Sequence, residues 1–206
     1  MDTFNQNGRP GGCWRWVAVC FFLALAYSAV RYHVFGGVPW THLPLYTVNK
    51  AVAFSAAVLL AGICLFRPSN GVAMRTGLTA TGLAVLHALM GAVMLSPSYY
   101  PKLYDAGELT LAGELGVLFG CMAFVLLAIP AIASIPSVRE SLSAGRWKTS
   151  QNVKYLVLAL AALHVTALGL KGWPKPDTWS GGMPPITLLS CIALLAALAA
   201  KILRNR

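Results

Sequence analysis

The stretch from Thr76 to Ser96, TGLTATGLAVLHALMGAVMLS, contains one ionisable side chain, His87, among 21 residues that are otherwise apolar, glycine or hydroxyl-bearing. At about 1.5 Å of rise per residue, a helix of this length crosses the hydrocarbon core of a bilayer. Five further runs have the same character: Trp14 to Val34, Leu45 to Phe66, Leu109 to Ser134, Asn152 to Leu170 and Pro185 to Ile202. Gly- and Pro-rich segments punctuate them, such as Gly36-Gly37-Val38-Pro39 and Gly172-Trp173-Pro174-Lys175-Pro176. The pattern predicts an all-α integral membrane protein, a six-helix transmembrane bundle forming a single domain over residues 1–206. Of the 206 residues 57% are hydrophobic and 11% charged, which excludes a solvated globular enzyme.

The net charge of +10 comes from 16 Lys and Arg against 6 Asp and Glu. With an inside amino terminus, eleven of the cations fall on the cytoplasmic side: Arg9, Arg15, Arg67, Arg75, Arg139, Arg146, Lys148, Lys154, Lys201, Arg204 and Arg206. Arg31, Lys50, Lys102, Lys171 and Lys175 fall outside. The imbalance predicts that both termini are cytoplasmic, and it accounts for the basic charge without nucleic acid, for which no binding module is visible. Arg9 and Arg15 precede an apolar core short enough for a secretory signal, but Trp and Arg at its edges and the lack of a small-x-small cleavage site favour an uncleaved first helix. The expected location is the plasma (cell inner) membrane. Four of the five cysteines, Cys20, Cys64, Cys121 and Cys191, lie in apolar runs as small hydrophobes; Cys13 precedes the first. Neither a disulfide framework nor a zinc motif is evident.

Two of the four histidines, His87 and His164, sit deep inside predicted spans, where an ionisable side chain is costly unless paired or bound. Counted from Thr76 and Asn152, they lie 11 and 12 residues into helices of the same direction, both roughly 17 Å from the cytoplasmic end. Two imidazoles at one level can ligate a haem iron from both sides, within the low-dielectric sheath of the bundle. Small residues one turn away, Ala84, Gly91, Ala161 and Ala167, can leave room for a porphyrin, whereas Leu160 and Leu168 are bulkier. The same pair also suits two cofactor-free roles: a proton or ion route in a transporter that includes Glu114, or interhelical hydrogen bonds in a membrane assembly subunit.

Arg75-Thr76-Gly77-Leu78 leading to Leu86-His87-Ala88-Leu89, and Gly145-Arg146-Trp147-Lys148 leading through Tyr155 to Leu163-His164-Val165, resemble the ferric reductase-like transmembrane domain superfamily. Its members include the membrane halves of NADPH oxidases and ferric reductases and the haem subunit of the bacterial methionine sulfoxide reductase system. The similarity runs from about Leu45 to Leu170, carried by helix order and histidine placement. It implies that His87 and His164 are the axial ligands of one haem b near the outer face, and that the chain is a ferric reductase-like oxidoreductase or electron-transfer subunit. Two-haem relatives carry a further histidine before each of these, where this chain has Met74 and Gln151, so a single haem is expected. No Gly-rich phosphate-binding segment appears before Arg206, which leaves a membrane quinol or a separate cytoplasmic protein as electron donor.

Other polar residues have more than one reading. Arg31 and Lys50, at the outer ends of the first two helices, can pair with haem propionates or snorkel to headgroups. Glu114, in the first turns of the fourth span, gains from the helix dipole and can pair with Lys50. His33 and His42, with Trp40 and Asp105 or Glu108, can form an outer metal site, although an exposed, solvated role is the plainer expectation. Trp40, Trp173 and Trp179 are expected as interface anchors.

Overall fold

The computed structural model describes residues 11–204 and is 81% helical. Arg9, Arg206 and the side chain of Cys13, named above, lie outside the described residues. The helices are α1 (Gly11–Ala29), α2 (Val48–Phe66), α3 (Asn70–Met94), α4 (Leu111–Ile132), a short α5 (Pro136–Ser141), α6 (Ala144–Gly169) and α7 (Ile186–Leu203). All but α5 belong to the six helices long and apolar enough to cross a membrane, the make-up of a multi-pass membrane protein. A two-residue antiparallel ladder, Tyr104–Asp105 with Glu108–Leu109, closes the loop between α3 and α4.

The six expected spans recur with shifted ends. α3 begins at Asn70 rather than Thr76, and α6 at Ala144 rather than Asn152. The extra turns carry Arg75, Arg146 and Lys148, and the start of α6 is capped by Ser143, whose hydroxyl accepts the Arg146 N–H at 3.4 Å. Hydropathy stops where charges begin, but a helix continues through headgroup depth where its charges meet water. On the opposite side of the bundle, π-helical turns at Val30–Val34 and Leu43–Thr47 flank the connection from α1 to α2. Such wide turns often accompany functional sites.

α4 lies along α6 over the most extensive contact of the bundle, α2 packs on both α3 and α7, and α3 meets α4 only lightly. The core is built from small residues and leucines: Ala61, Cys64, Leu158, Ala162, Leu194 and Ala197 join α2, α6 and α7. Ala123, Leu127, Val157 and Leu160 lie between α4 and α6. Lipid-exposed helices gain nothing from hiding leucine from water, so close backbone approach and dispersion hold such interfaces. Glycine makes that approach available on α4, where a Cβ at Gly116 would run into Leu168 of α6. Cys64 and Cys191 are buried, Cys20 is half-buried and Cys121 exposed, all four as free thiols.

Among the described residues, Arg204, Lys154 and Lys201, all expected inside, gather at one end. Arg204 at the end of α7 donates to the carbonyls of Cys64 (3.1 Å) and Leu65 (2.8 Å) at the end of α2. Lys154 of α6 and Lys201 of α7 both lie over the Tyr155 ring, at 5.4 and 5.1 Å. At the other end Arg31 Nε donates to Pro184 O at 3.0 Å and Tyr27 Oη to the same carbonyl at 2.7 Å, tying α1 to the start of α7.

Replacing Gly116 by Val is expected to force α4 and α6 apart and destabilise the fold by about 1–3 kcal/mol, read as a lower thermal midpoint in detergent. Gly71→Ala, at a position where a Cβ meets nothing within 4 Å, is the control and should leave the midpoint unchanged or slightly raised.

Candidate functional site

His87 of α3 and His164 of α6 face each other, ring centres 6.2 Å apart and planes at 74°. Both are half-buried. With the observed helix ends, His87 lies 7 residues before Met94 and His164 5 before Gly169. They therefore stand about 10 and 8 Å from the ends of their helices, nearer that face than starts at Thr76 and Asn152 implied.

Each ring spends the same nitrogen. His164 Nδ1–H donates to the backbone carbonyl of Gly116 at 2.7 Å, and His87 Nδ1–H donates to Asn49 Oδ1, also at 2.7 Å. Since both acceptors are oxygens without a proton to give, both Nδ1 atoms carry hydrogen and both Nε2 atoms keep their lone pairs. Neither Nε2 has a hydrogen-bond partner among the described residues. This is the tautomer of metal-bound histidine, whose second nitrogen is held by an outer acceptor. For metal–nitrogen bonds of about 2.0 Å, with each ring centre about 1.1 Å behind its nitrogen, opposed imidazoles on one ion have centres roughly 6.2 Å apart. The pair has the separation and the free lone pairs that bis-imidazole ligation requires.

Glycine on α4 makes His164's position available. A Cβ at Gly120 would stand 2.8 Å from His164 Nδ1, so only glycine lets the ring lie against the α4 backbone and reach the Gly116 carbonyl. Gly116 and Gly120 form a G-x-x-x-G pair, the spacing that brings membrane helices into close contact. Asn49, 2% exposed, plays the corresponding part for His87 from α2. Neither Asn49 nor these glycines was among the residues expected from sequence. The signals present were a lone carboxamide inside an apolar run and the glycine spacing itself.

Of the small residues expected to leave room beside the rings, Gly91 does open on free space, a Cβ there meeting nothing within 4 Å. Ala84 and Ala161 instead pack into the two core clusters, and Leu168 covers Gly116. Lys50 has its ammonium over the rings of Tyr46 (4.3 Å), Tyr32 (4.7 Å) and Tyr100 (5.6 Å), and Arg31 lies over the same Tyr32 ring at 5.0 Å. Glu114 is exposed in the first turn of α4, and Lys50's partners are tyrosines rather than that carboxylate.

The expectation of a solvated His33 is corrected: it is 6% exposed, stacked on Trp40 at 4.9 Å, and donates from Nδ1 to Val38 O at 2.9 Å while Nε2 meets the Thr47 hydroxyl. With both nitrogens engaged it offers no lone pair to a metal, and His42 packs on Tyr99 instead. Among the described residues no cluster of three or more His, Cys, Asp or Glu could hold a metal ion. Gln151 Nε2 donates to Pro130 O (3.1 Å) and Ser134 Oγ (3.2 Å), bracing α6 on the end of α4. Trp173 and Trp179 direct their indole N–H groups inward, to Thr187 Oγ1 and Gly172 O, both at 3.1 Å. No protein-family model and no curated protein matches this chain.

Proposed function

We propose that this chain is a transmembrane b-type cytochrome that holds one haem between α3 and α6, with His87 and His164 as axial ligands through Nε2. The observation that carries the reading is the pair of committed Nδ1–H groups, with unpartnered Nε2 atoms among the described residues and ring centres 6.2 Å apart. The sequence likeness to the ferric reductase-like transmembrane domain superfamily points the same way. When bound, haem supplies one-electron transfer, and the protein supplies ligation, orientation and exclusion of water.

The chain's own residues divide that work. Gly116 O and Asn49 Oδ1 fix the two rings, and Gly120 and Gly91 keep space beside them. Lys50 follows Asn49 in sequence, and Arg31 shares the Tyr32 ring with it. Both cations stand at the same end of the bundle without a carboxylate partner among their contacts, which suits them to the acidic edge of a porphyrin. By the positive-inside rule, Arg67, Arg146, Lys148, Lys201 and Arg204 at the opposite end support cytoplasmic termini in a plasma membrane. The site then lies toward the outer face, 17 residues along α3 from Asn70, or about 26 Å. That separation favours a membrane quinol over a soluble cytoplasmic protein as donor, with a small outer molecule or partner subunit as acceptor, in the manner of a ferric reductase-like oxidoreductase.

The detergent-purified protein is expected to give a low-spin reduced-minus-oxidised visible spectrum, lost in both His87→Ala and His164→Ala. A wild-type protein that stays colourless after incubation with ferric haem refutes the proposal in favour of a cofactor-free transporter or assembly subunit. Gly120→Val is expected to push His164 off its carbonyl and weaken haem retention at least tenfold with helical circular dichroism intact, since disturbing such an outer anchor costs about 10–100-fold in affinity.

A further inference from the structure

The two imidazoles are anchored unequally. His164 rests on a backbone carbonyl, that of Gly116, whereas His87 rests on one side chain, the carboxamide of Asn49. That amide is 2% exposed among apolar helices, where an unpaired polar group is costly, and both of its ends are turned to use. Oδ1 takes the His87 Nδ1–H at 2.7 Å, and Nδ2 reaches the Tyr100 hydroxyl at 3.5 Å. Tyr100 packs on Tyr46 at 5.7 Å, and both rings face the Lys50 ammonium, as Tyr32 does. Asn49 and Lys50 occupy the first turn of α2, directly after the π-helical turn Leu43–Thr47. The wide turn, the caged cation and the amide form one structural unit whose far end is the His87 ring.

We propose that Asn49 is the positioning residue of the haem site: its carboxamide oxygen fixes the His87 tautomer, aims Nε2 at His164 and sets how strongly that ring donates to iron. The inference rests on the haem reading above. An acceptor on Nδ1–H raises the basicity of the opposite nitrogen, and a more basic ligand favours the ferric state. A carboxylate at position 49 keeps an acceptor within reach and pulls harder on the proton. An alkyl side chain of similar size removes the acceptor, leaves Nδ1–H unpaired and lets the ring turn.

The test compares full-length wild type, Asn49→Asp and Asn49→Leu in detergent by ferric haem titration and by potentiometric titration of the visible bands. Expected are a 10–100-fold loss of haem affinity and a raised reduction potential in Asn49→Leu, and retained haem with a lowered potential in Asn49→Asp. Should Asn49→Leu fail to fold, the direction of the Asn49→Asp potential still decides. Wild-type affinity and potential in every folded variant overturn the inference while leaving the His87 and His164 ligation standing. Loss of haem from Asn49→Asp as complete as from Asn49→Leu overturns it too, because the acceptor is kept. A wild-type protein that binds no haem overturns both readings together.

Discussion

An imidazole inside a bilayer has a proton that must be given to something, and where each of the two facing histidines gives it determines most of what this bundle can do. Both give it from Nδ1, to oxygens on helices other than their own: His164 to α4 and His87 to α2. The two bonds satisfy donors that would be costly to bury unpaired, fix both tautomers and leave the lone pair of each Nε2 uncommitted. They also explain features of the fold with no evident purpose otherwise. α4 and α6 pack closely because Gly116 and Gly120 leave no side chains between the α4 backbone and the ring. An ordinary helical carbonyl accepts from its own helix and has a second lone pair to spare, so the Gly116 carbonyl serves the imidazole without breaking α4.

The two ends of the bundle differ in how they handle charge. At the end holding Arg67, Lys154, Lys201 and Arg204, cations cap helix carbonyls or lie over Tyr155, as residues near an aqueous surface do. At the other end Lys50 is surrounded by three phenol rings and Arg31 is held against a backbone carbonyl. Cation–π contact compensates a desolvated ammonium without neutralising it. The result is retained positive charge beside the histidine level, which is why Arg31 and Lys50 remain suited to an anionic partner whose carboxylates come from outside the chain.

How much of this was legible in sequence depended on the range of the interaction. The six spans could be read because hydropathy is a property of each segment alone. Their starts could not, since the first turns of α3 and α6 carry Arg75, Arg146 and Lys148 and are helical because of capping and their position at the membrane edge. The facing of His87 and His164 followed from equal depth in parallel helices. The partners that hold them did not, because Asn49 lies 38 residues from His87 and Gly116 lies 48 from His164, and no local pattern pairs them. His33 was misread for the same reason: its burial comes from Trp40 and Thr47 after the chain folds back through two π-helical turns. α5, six residues between two longer helices, is too short to announce itself by periodicity.

The opposite level of the same helices shows what a ligand site lacks when its groups are spent on structure. Pro130 interrupts the hydrogen-bond ladder near the end of α4, and its carbonyl takes the Ser134 hydroxyl at 2.7 Å as well as the Gln151 amide. Gln151 therefore works as a brace between α4 and α6, with its donors committed and no imidazole lone pair to offer. Met74, the residue at the corresponding place on α3, is half-buried. Haem ligation from two sides needs two strong donors at one depth, and among the described residues His87 and His164 form such a pair. The bundle thus commits its polar side chains in two ways, to holding helices together at the basic end and to orienting free lone pairs at the other. The single-haem proposal follows from that division of labour rather than from the count of histidines alone.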